Sequence, residues 1–149
     1  MKTCVIAIGM LSLLLLSGCA GSKAYEGSIT DFSYHYGSYF GGYYDYDLVL
    51  QDDNTVLFTA IGGNGIELGI TKEVDPAILE ELSSVINDNH LEKWDGFSKS
   101  DSSILDGYSF SLIVKYDDER TLTASGYMSY PENYRKVHDS LVDILESVK

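Results

Sequence analysis

The sequence predicts an α+β fold: a two-layer sandwich in which an antiparallel sheet of about six strands, in the order ββββ-α-ββ-α, carries two helices on one face. Three observations predict it. Apolar residues alternate with polar ones through the segments between Phe32 and Ile70, the period of half-buried strands. From Asp75 the apolar spacing lengthens to that of a helix, and after Gly107 the chain repeats the change, alternation first and helical spacing second. A sheet with one apolar face and helices with one apolar stripe each bury those surfaces most simply against one another.

The elements follow in order. Phe32, Tyr34 and Tyr36 share one face of the first strand, and Tyr44, Tyr46, Leu48 and Leu50 share one face of the second. The run "QDDNT" turns the chain into a third strand with Val56, Phe58 and Ala60 inward. Asn64-Gly65 is a tight-turn pair, followed by a fourth strand built on Ile66, Leu68 and Ile70. Asp75 is placed to cap a helix and Pro76 suits its first position. Ile78, Leu79, Leu82, Val85 and Ile86 form the stripe, with Glu80 and Glu81 near the positive end of the dipole. After a loop over 91–107, Tyr108, Phe110, Leu112, Val114 and Tyr116 make one strand and Leu122, Ala124, Gly126 and Met128 the next, joined by "DDER" as a hairpin. Pro131 opens the last helix, whose stripe is Tyr134, Val137, Leu141, Ile144, Leu145 and Val148; Arg135, Lys136, Asp139, Asp143 and Glu146 face water, and His138 lies on that polar side. Alternation gives the faces of these strands but not their order in the sheet.

Ahead of this domain stands a targeting segment. Residues 1–18 contain Lys2, an apolar run over 4–16 and the sequence Leu16-Ser17-Gly18 before Cys19. This resembles the lipobox of bacterial lipoproteins, in which a signal peptidase cuts before a cysteine whose thiol already carries a diacylglyceryl group. A membrane-spanning helix needs about 20 apolar residues, more than this run supplies. The expected organisation is a signal peptide over 1–18, lipidated Cys19 with a short polar tether over 19–27, and a single domain over 28–149. Two or three acyl chains on Cys19 hold a protein at a membrane where one alone is marginal. The expected location is therefore the cell envelope, on the extracytoplasmic side of a membrane.

Composition narrows the function. The chain has 10 basic and 23 acidic residues; loss of Lys2 leaves 9 and 23, a formal net charge of −14. Such a surface repels nucleic acid and anionic headgroups, so neither is expected as a partner. The two cysteines are Cys4 and Cys19, which leave no free thiol in the domain for a disulfide, a nucleophile or a zinc site. There is no G-x-S-x-G elbow, no phosphate-binding glycine loop and no histidine pair at ligand spacing on a helix, so no catalytic residue and no cofactor are assigned.

The motifs "EKWDGF", "LDGYSFSLIVKY" and "GYMSYPENY" resemble those of a family of small bacterial lipoproteins and secreted domains of unknown function. The resemblance covers most of the chain after the tether. It implies an α+β domain outside the cytoplasm and no particular chemistry.

Four constellations are candidates for binding. The stretch "SYHYGSYFGGYYDYDLVL" sends Tyr34, Tyr36, Tyr44 and Tyr46 to the core side and leaves Tyr39, Phe40 and Tyr43 near the turn for contact. If Tyr36 opposes Tyr44, then His35 opposes Asp45 and Ser33 opposes Asp47 on the other face, an arrangement suited to proton transfer or half of a cation site. Asp88, Glu92, Asp95 and Asp101, in an acidic loop that also holds Asn89, His90 and Asp106, are candidate calcium ligands, although their spacing matches no EF-hand. Trp94 and Phe97 in that loop can form either a ligand-stacking lid or a plug over the edge of the core. The expected function is a non-catalytic, membrane-anchored module that binds an envelope protein or peptide. The alternatives are a calcium or small-ligand binder using the acidic loop and a carboxylate-dependent envelope hydrolase.

Overall fold

A computed structural model describes residues 27–63 and 69–149. The chain runs through β1 (Ile29–Ser38), β2 (Gly42–Leu50), β3 (Val56–Gly63), β4 (Ile70–Val74), α1 (Ala77–Asp88), a short 3-10 helix (Leu91–Trp94), β5 (Phe97–Ser100), β6 (Ser109–Tyr116), β7 (Thr121–Tyr127) and α2 (Tyr134–Ser147). The fold is α+β: one sheet of seven mostly antiparallel strands, in the order β4-β3-β2-β1-β6-β7-β5, and two α-helices.

The first strand lies at the middle of the sheet. β1 pairs with β2 on one side and with β6 on the other, so the two hairpin systems of the chain meet along it. The register places Tyr36 against Tyr44, His35 against Asp45 and Ser33 against Asp47, as the alternation requires. The inward residues Phe32, Tyr34, Tyr46, Leu48, Phe58, Phe110, Leu112 and Leu122 are all at most 2% exposed and form one cluster with Leu82 and Ile86 of α1 and Val137, Leu141 and Leu145 of α2. Apolar residues of the sheet and of both helices thus share one buried cluster, whose removal from water is the main stabilising term for the domain.

Several expectations require correction. The sheet has seven strands instead of about six, because Phe97–Ser100 forms β5, parallel to β7, within a segment read as loop. Its four residues carry no alternation, and Phe97 is its only apolar side chain. The strand exists because β7 offers it an open edge after Gly96 turns the chain with φ +74°. β4 begins at Ile70 and runs to Val74; Ile66, Leu68 and the Asn64-Gly65 turn lie outside the described residues. Pro76 occupies the cap position of α1 instead of its first helical position, and Asp75, one residue further out, accepts the Ala77 amide through Oδ1 at 2.9 Å. Helix α2 starts at Tyr134, three residues beyond Pro131, because Asn133 takes a left-handed conformation with φ +61° that the helix cannot include.

The polar side of α2 is less simple than its pattern. His138 is half-buried instead of solvated: its Nδ1 lies 2.7 Å from the Tyr34 hydroxyl, and its ring packs edge-on to Tyr36 and stacks with Tyr134. Glu146 is exposed as expected, yet its carboxylate accepts a hydrogen bond from the buried Tyr46 hydroxyl. The two tyrosines on β1 and β2 are amphipathic pegs, apolar rings in the core with hydroxyls reaching α2 at its margin.

Candidate functional site

The turn between β1 and β2, residues 39–41, is held from beneath. Ser38 is 3% exposed and its hydroxyl accepts the Gly41 amide at 2.9 Å, closing a side-chain turn. Gly37 has φ +146°, and a Cβ there would overlap the Gly42 carbonyl, so only glycine lets the two strands approach so closely. On this support Tyr39 and Phe40 project outward, 78% and 72% exposed, with rings at 87° and centroids 5.2 Å apart.

Neighbouring elements extend the patch. Tyr108, just before β6, lies beside Gly41, where an added Cβ would meet its hydroxyl oxygen at 3.0 Å. Tyr130 donates its hydroxyl to the Tyr108 carbonyl at 3.2 Å. Together with the exposed Tyr43, these residues make an aromatic pole at one end of the sheet, with Leu105 exposed on the loop that leads into β6. Alternation had put Tyr108 on the inner face; it is exposed because Gly107 and Asp106 still belong to the loop and the strand begins one residue later, at Ser109. Tyr130 was not singled out at all, since no periodicity covers the connection between β7 and α2.

The outer face of the sheet adjoins this pole. His35 Nδ1 and Asp45 Oδ1 are hydrogen-bonded, and the imidazole stacks on Tyr43 with centroids 5.4 Å apart. Ser33 donates to Asp47 Oδ1 at 2.6 Å. Ser111 opposes His35 on the other side, so Asp45, His35 and Ser111 stand in one row across β2, β1 and β6. The ring nevertheless leans over β2, where both Asp45 and Tyr43 sit, and no hydrogen bond joins it to Ser111 among the described residues. The row has the members of a hydrolytic triad without a base-to-nucleophile contact.

The acidic loop disperses its carboxylates. Asp88 is exposed at the end of α1, and Glu92 faces His90 Nδ1 at 3.3 Å. Asp95 accepts the Thr123 amide at 3.0 Å. Asp101 accepts the hydroxyl and amide of Ser103, bonds that hold its carboxyl below the usual range. Among the described residues no group of three or more His, Cys, Asp or Glu side chains is placed to hold a metal ion. Trp94 is 3% exposed, packs against Phe110 and Tyr134, and donates Nε1–H to the Glu132 carbonyl at 3.1 Å; with Phe97 it closes the core as a plug.

Beneath the pole lies a polar network that sequence reasoning missed. Tyr134 and Tyr34 hydroxyls are 3.3 Å apart, and Tyr34 in turn meets His138 Nδ1. Burial pushes the Tyr34 phenol up and the Tyr134 phenol up to about 12, while it pushes the His138 imidazole down. All three are then neutral at pH 7, and the chain is satisfied when Tyr134 donates to Tyr34 and Tyr34 donates to Nδ1.

Cys19, the signal segment and most of the tether lie outside the described residues. Among those described, no helix is long and apolar enough to cross a membrane. The chain matches no protein-family model, and no curated protein sequence matches it.

Proposed function

We propose that this chain is a lipid-anchored extracytoplasmic protein of the small bacterial lipoprotein type, whose α+β domain is a non-catalytic module that binds an envelope protein or peptide through the aromatic pole. In this reading both helices form the second layer of a two-layer sandwich, leaving the outer sheet face and the pole free. The carrying observation is the pair Tyr39 and Phe40, 78% and 72% exposed on a turn fixed by Ser38 and Gly37. Large rings held rigidly in water lose little entropy on binding and supply the buried area that anchors interfaces.

Topology supports the orientation. The eight tether residues after Cys19, 20–27, reach at most about 28 Å when extended and lead directly to the start of β1. β1 then runs ten residues, about 33 Å at strand rise, before it delivers the pole. The aromatic end therefore faces away from the anchor, toward whatever lies beyond the membrane surface.

The test places a photo-crosslinking amino acid at Tyr39 or Phe40 in the full chain in intact cells, with Val49 and Leu57 at the other end of the outer face as controls. Discrete crosslinked partners from the pole positions alone are expected. Equal crosslinking from all four, or none from the pole, overturns the reading. In parallel, Cys19→Ser should move the protein from the membrane to the soluble fraction and remove the lipid mass; unchanged membrane retention overturns the anchor.

A further inference from the structure

The lysines and arginines of the domain fall into two sets. Lys72 donates to the Lys149 carbonyl, Lys115 pairs with Asp31, Arg120 with Asp118 and Lys149 with Glu146. Lys93, Lys99, Arg135 and Lys136 are exposed and make no ion pair among the described residues; Lys99 lies over the Phe97 ring at 5.3 Å. All four line two adjoining hollows of about 350 and 680 Å³ that share Tyr130, Pro131 and Asn133. On a domain whose formal net charge is −14 after loss of Lys2, the unpaired cations have been collected in one groove.

Two further features mark the groove. Helix α2 begins there with Arg135 and Lys136, no acidic residue in its first turn and no side-chain cap. Cations at a helix N-terminus oppose the helix dipole, so the arrangement costs stability and concentrates positive potential from side chains and free amides at the same place. The floor is aromatic: Tyr130 stacks on Tyr134 with centroids 4.6 Å apart and on Phe110 at 6.0 Å, and it stays 39% exposed where the two hollows, with a pair of cations in each, adjoin. Asn89 and Asn133 add amides to the walls. Glu132 and Asp139 also line the groove, so its charge is set by four cations against two carboxylates, with His90 at the edge.

We infer that this groove binds an anionic glycan, a polysaccharide whose rings carry carboxylate or phosphate groups. Cations spaced on either side of an aromatic shelf match a chain in which charge and a flat apolar ring face alternate, and side-chain amides match its hydroxyls. An acidic peptide would need the cations but not the shelf. The acidic remainder of the domain repels a polyanion elsewhere, which confines contact to this surface. The groove shares Tyr130 with the aromatic pole, but the inference rests neither on Tyr39 and Phe40 nor on the lipid.

The test uses the full chain in detergent micelles, with polygalacturonate, phosphorylated dextran, neutral dextran and poly-L-glutamate as probes, and Trp94 emission beside calorimetry as readouts. Binding of one or both anionic glycans is expected, and the arm that binds better tells carboxylate from phosphate. Each double variant, Lys93→Gln with Lys99→Gln or Arg135→Gln with Lys136→Gln, should weaken binding about tenfold or more, the loss expected for a charge-assisted contact. The control Lys72→Gln with Lys115→Gln should bind within about twofold of the parent, since those cations lie outside the groove. Tyr39→Ser with Phe40→Ser should bind normally, which separates failure here from failure of the pole. Equal binding of neutral dextran, tighter binding of poly-L-glutamate, no binding of either glycan, or an equal loss in the control overturns the inference. Because all substituted residues are exposed, no fall in melting temperature should accompany the losses, and Arg135→Gln with Lys136→Gln should raise it slightly by relieving their opposition to the helix dipole.

Discussion

The bond between Tyr46 and Glu146 is the sharpest test of how α2 is fastened to the sheet. Tyr46 is 1% exposed, so its hydroxyl has only the protein margin in which to find a partner, whereas the Glu146 side chain is 42% exposed and also faces Lys149 Nζ at 3.5 Å. Tyr46→Phe removes the donor and leaves a carboxylate that water can re-solvate, so its cost should sit at the low end for bonds to charged groups, about 1.5 kcal/mol. Glu146→Ala removes the charged acceptor but leaves Tyr36 as a hydrogen-bond partner of the phenol, so it should cost about 1–1.5 kcal/mol. Glu146→Gln keeps a neutral acceptor and should recover roughly half of that loss, since charged bonds are about twice as strong as neutral ones. In a double-mutant cycle from urea unfolding, Tyr46→Phe and Glu146→Ala should couple by about 1 kcal/mol. Additivity within about 0.3 kcal/mol, the usual error for unconnected sites, would falsify the claim that this contact holds the helix.

Other consequences are checked more simply. Gly37→Ala should cost about 2–4 kcal/mol from backbone strain, because φ is +146° and the new Cβ overlaps the Gly42 carbonyl; thermal unfolding measures it, and a loss under about 1 kcal/mol contradicts the hairpin geometry. Tyr39→Ser with Phe40→Ser should shift stability by under about 1 kcal/mol, as expected of exposed sites, while Leu141→Ala, fully buried, should cost about 2–5 kcal/mol. Trp94 should emit as a buried indole and resist iodide quenching, and an exposed-indole spectrum would refute the plug. Stability should fall as pH drops from 7 toward 5. The unfolded chain protonates His138 at the ordinary histidine value of 6.5, but the folded state resists because Tyr34 and Tyr36 on β1 and Tyr134 on α2 crowd the ring, with only Asp139 opposing. Its stabilising contribution is thus complete above the unfolded value and is lost as pH falls toward the depressed folded one. His138→Gln should flatten this slope relative to the parent, and an unchanged slope rejects the assignment.

Much of this was legible without coordinates wherever a period ran long enough. Eight alternating pairs along β1 and β2 keep Tyr34, Tyr46 and Leu48 on one face; the opposition of His35 and Asp45 follows from that alternation once Tyr36 is set against Tyr44, the register that the sheet adopts. The exposure of Tyr39, Phe40 and Tyr43 followed for the same reason, as they fall at the turn or on the outward phase. Where the pattern was short, reading failed. β5 has one apolar residue and forms only because β7 presents an edge, and Tyr108 lost its place on the inner face to a strand start one residue later. His138 looked solvated because a helical wheel knows nothing of the tyrosines on a strand about a hundred residues earlier, at Tyr34 and Tyr36.

By itself the sequence determined the α+β class, the faces of the long strands, the stripes of both helices and the acidic balance of the domain, since these depend on local periodicity and composition. Tertiary structure decided what depends on adjacency between distant segments. It placed β1 at the centre of the sheet, brought Tyr108 and Tyr130 beside the hairpin tip, and gathered Lys93 from the 3-10 helix and Lys99 from β5 with Arg135 and Lys136 from the start of α2 around a common groove. No spacing rule encodes such meetings, because they are set by how the helices cross the sheet and by which edge a four-residue strand can join.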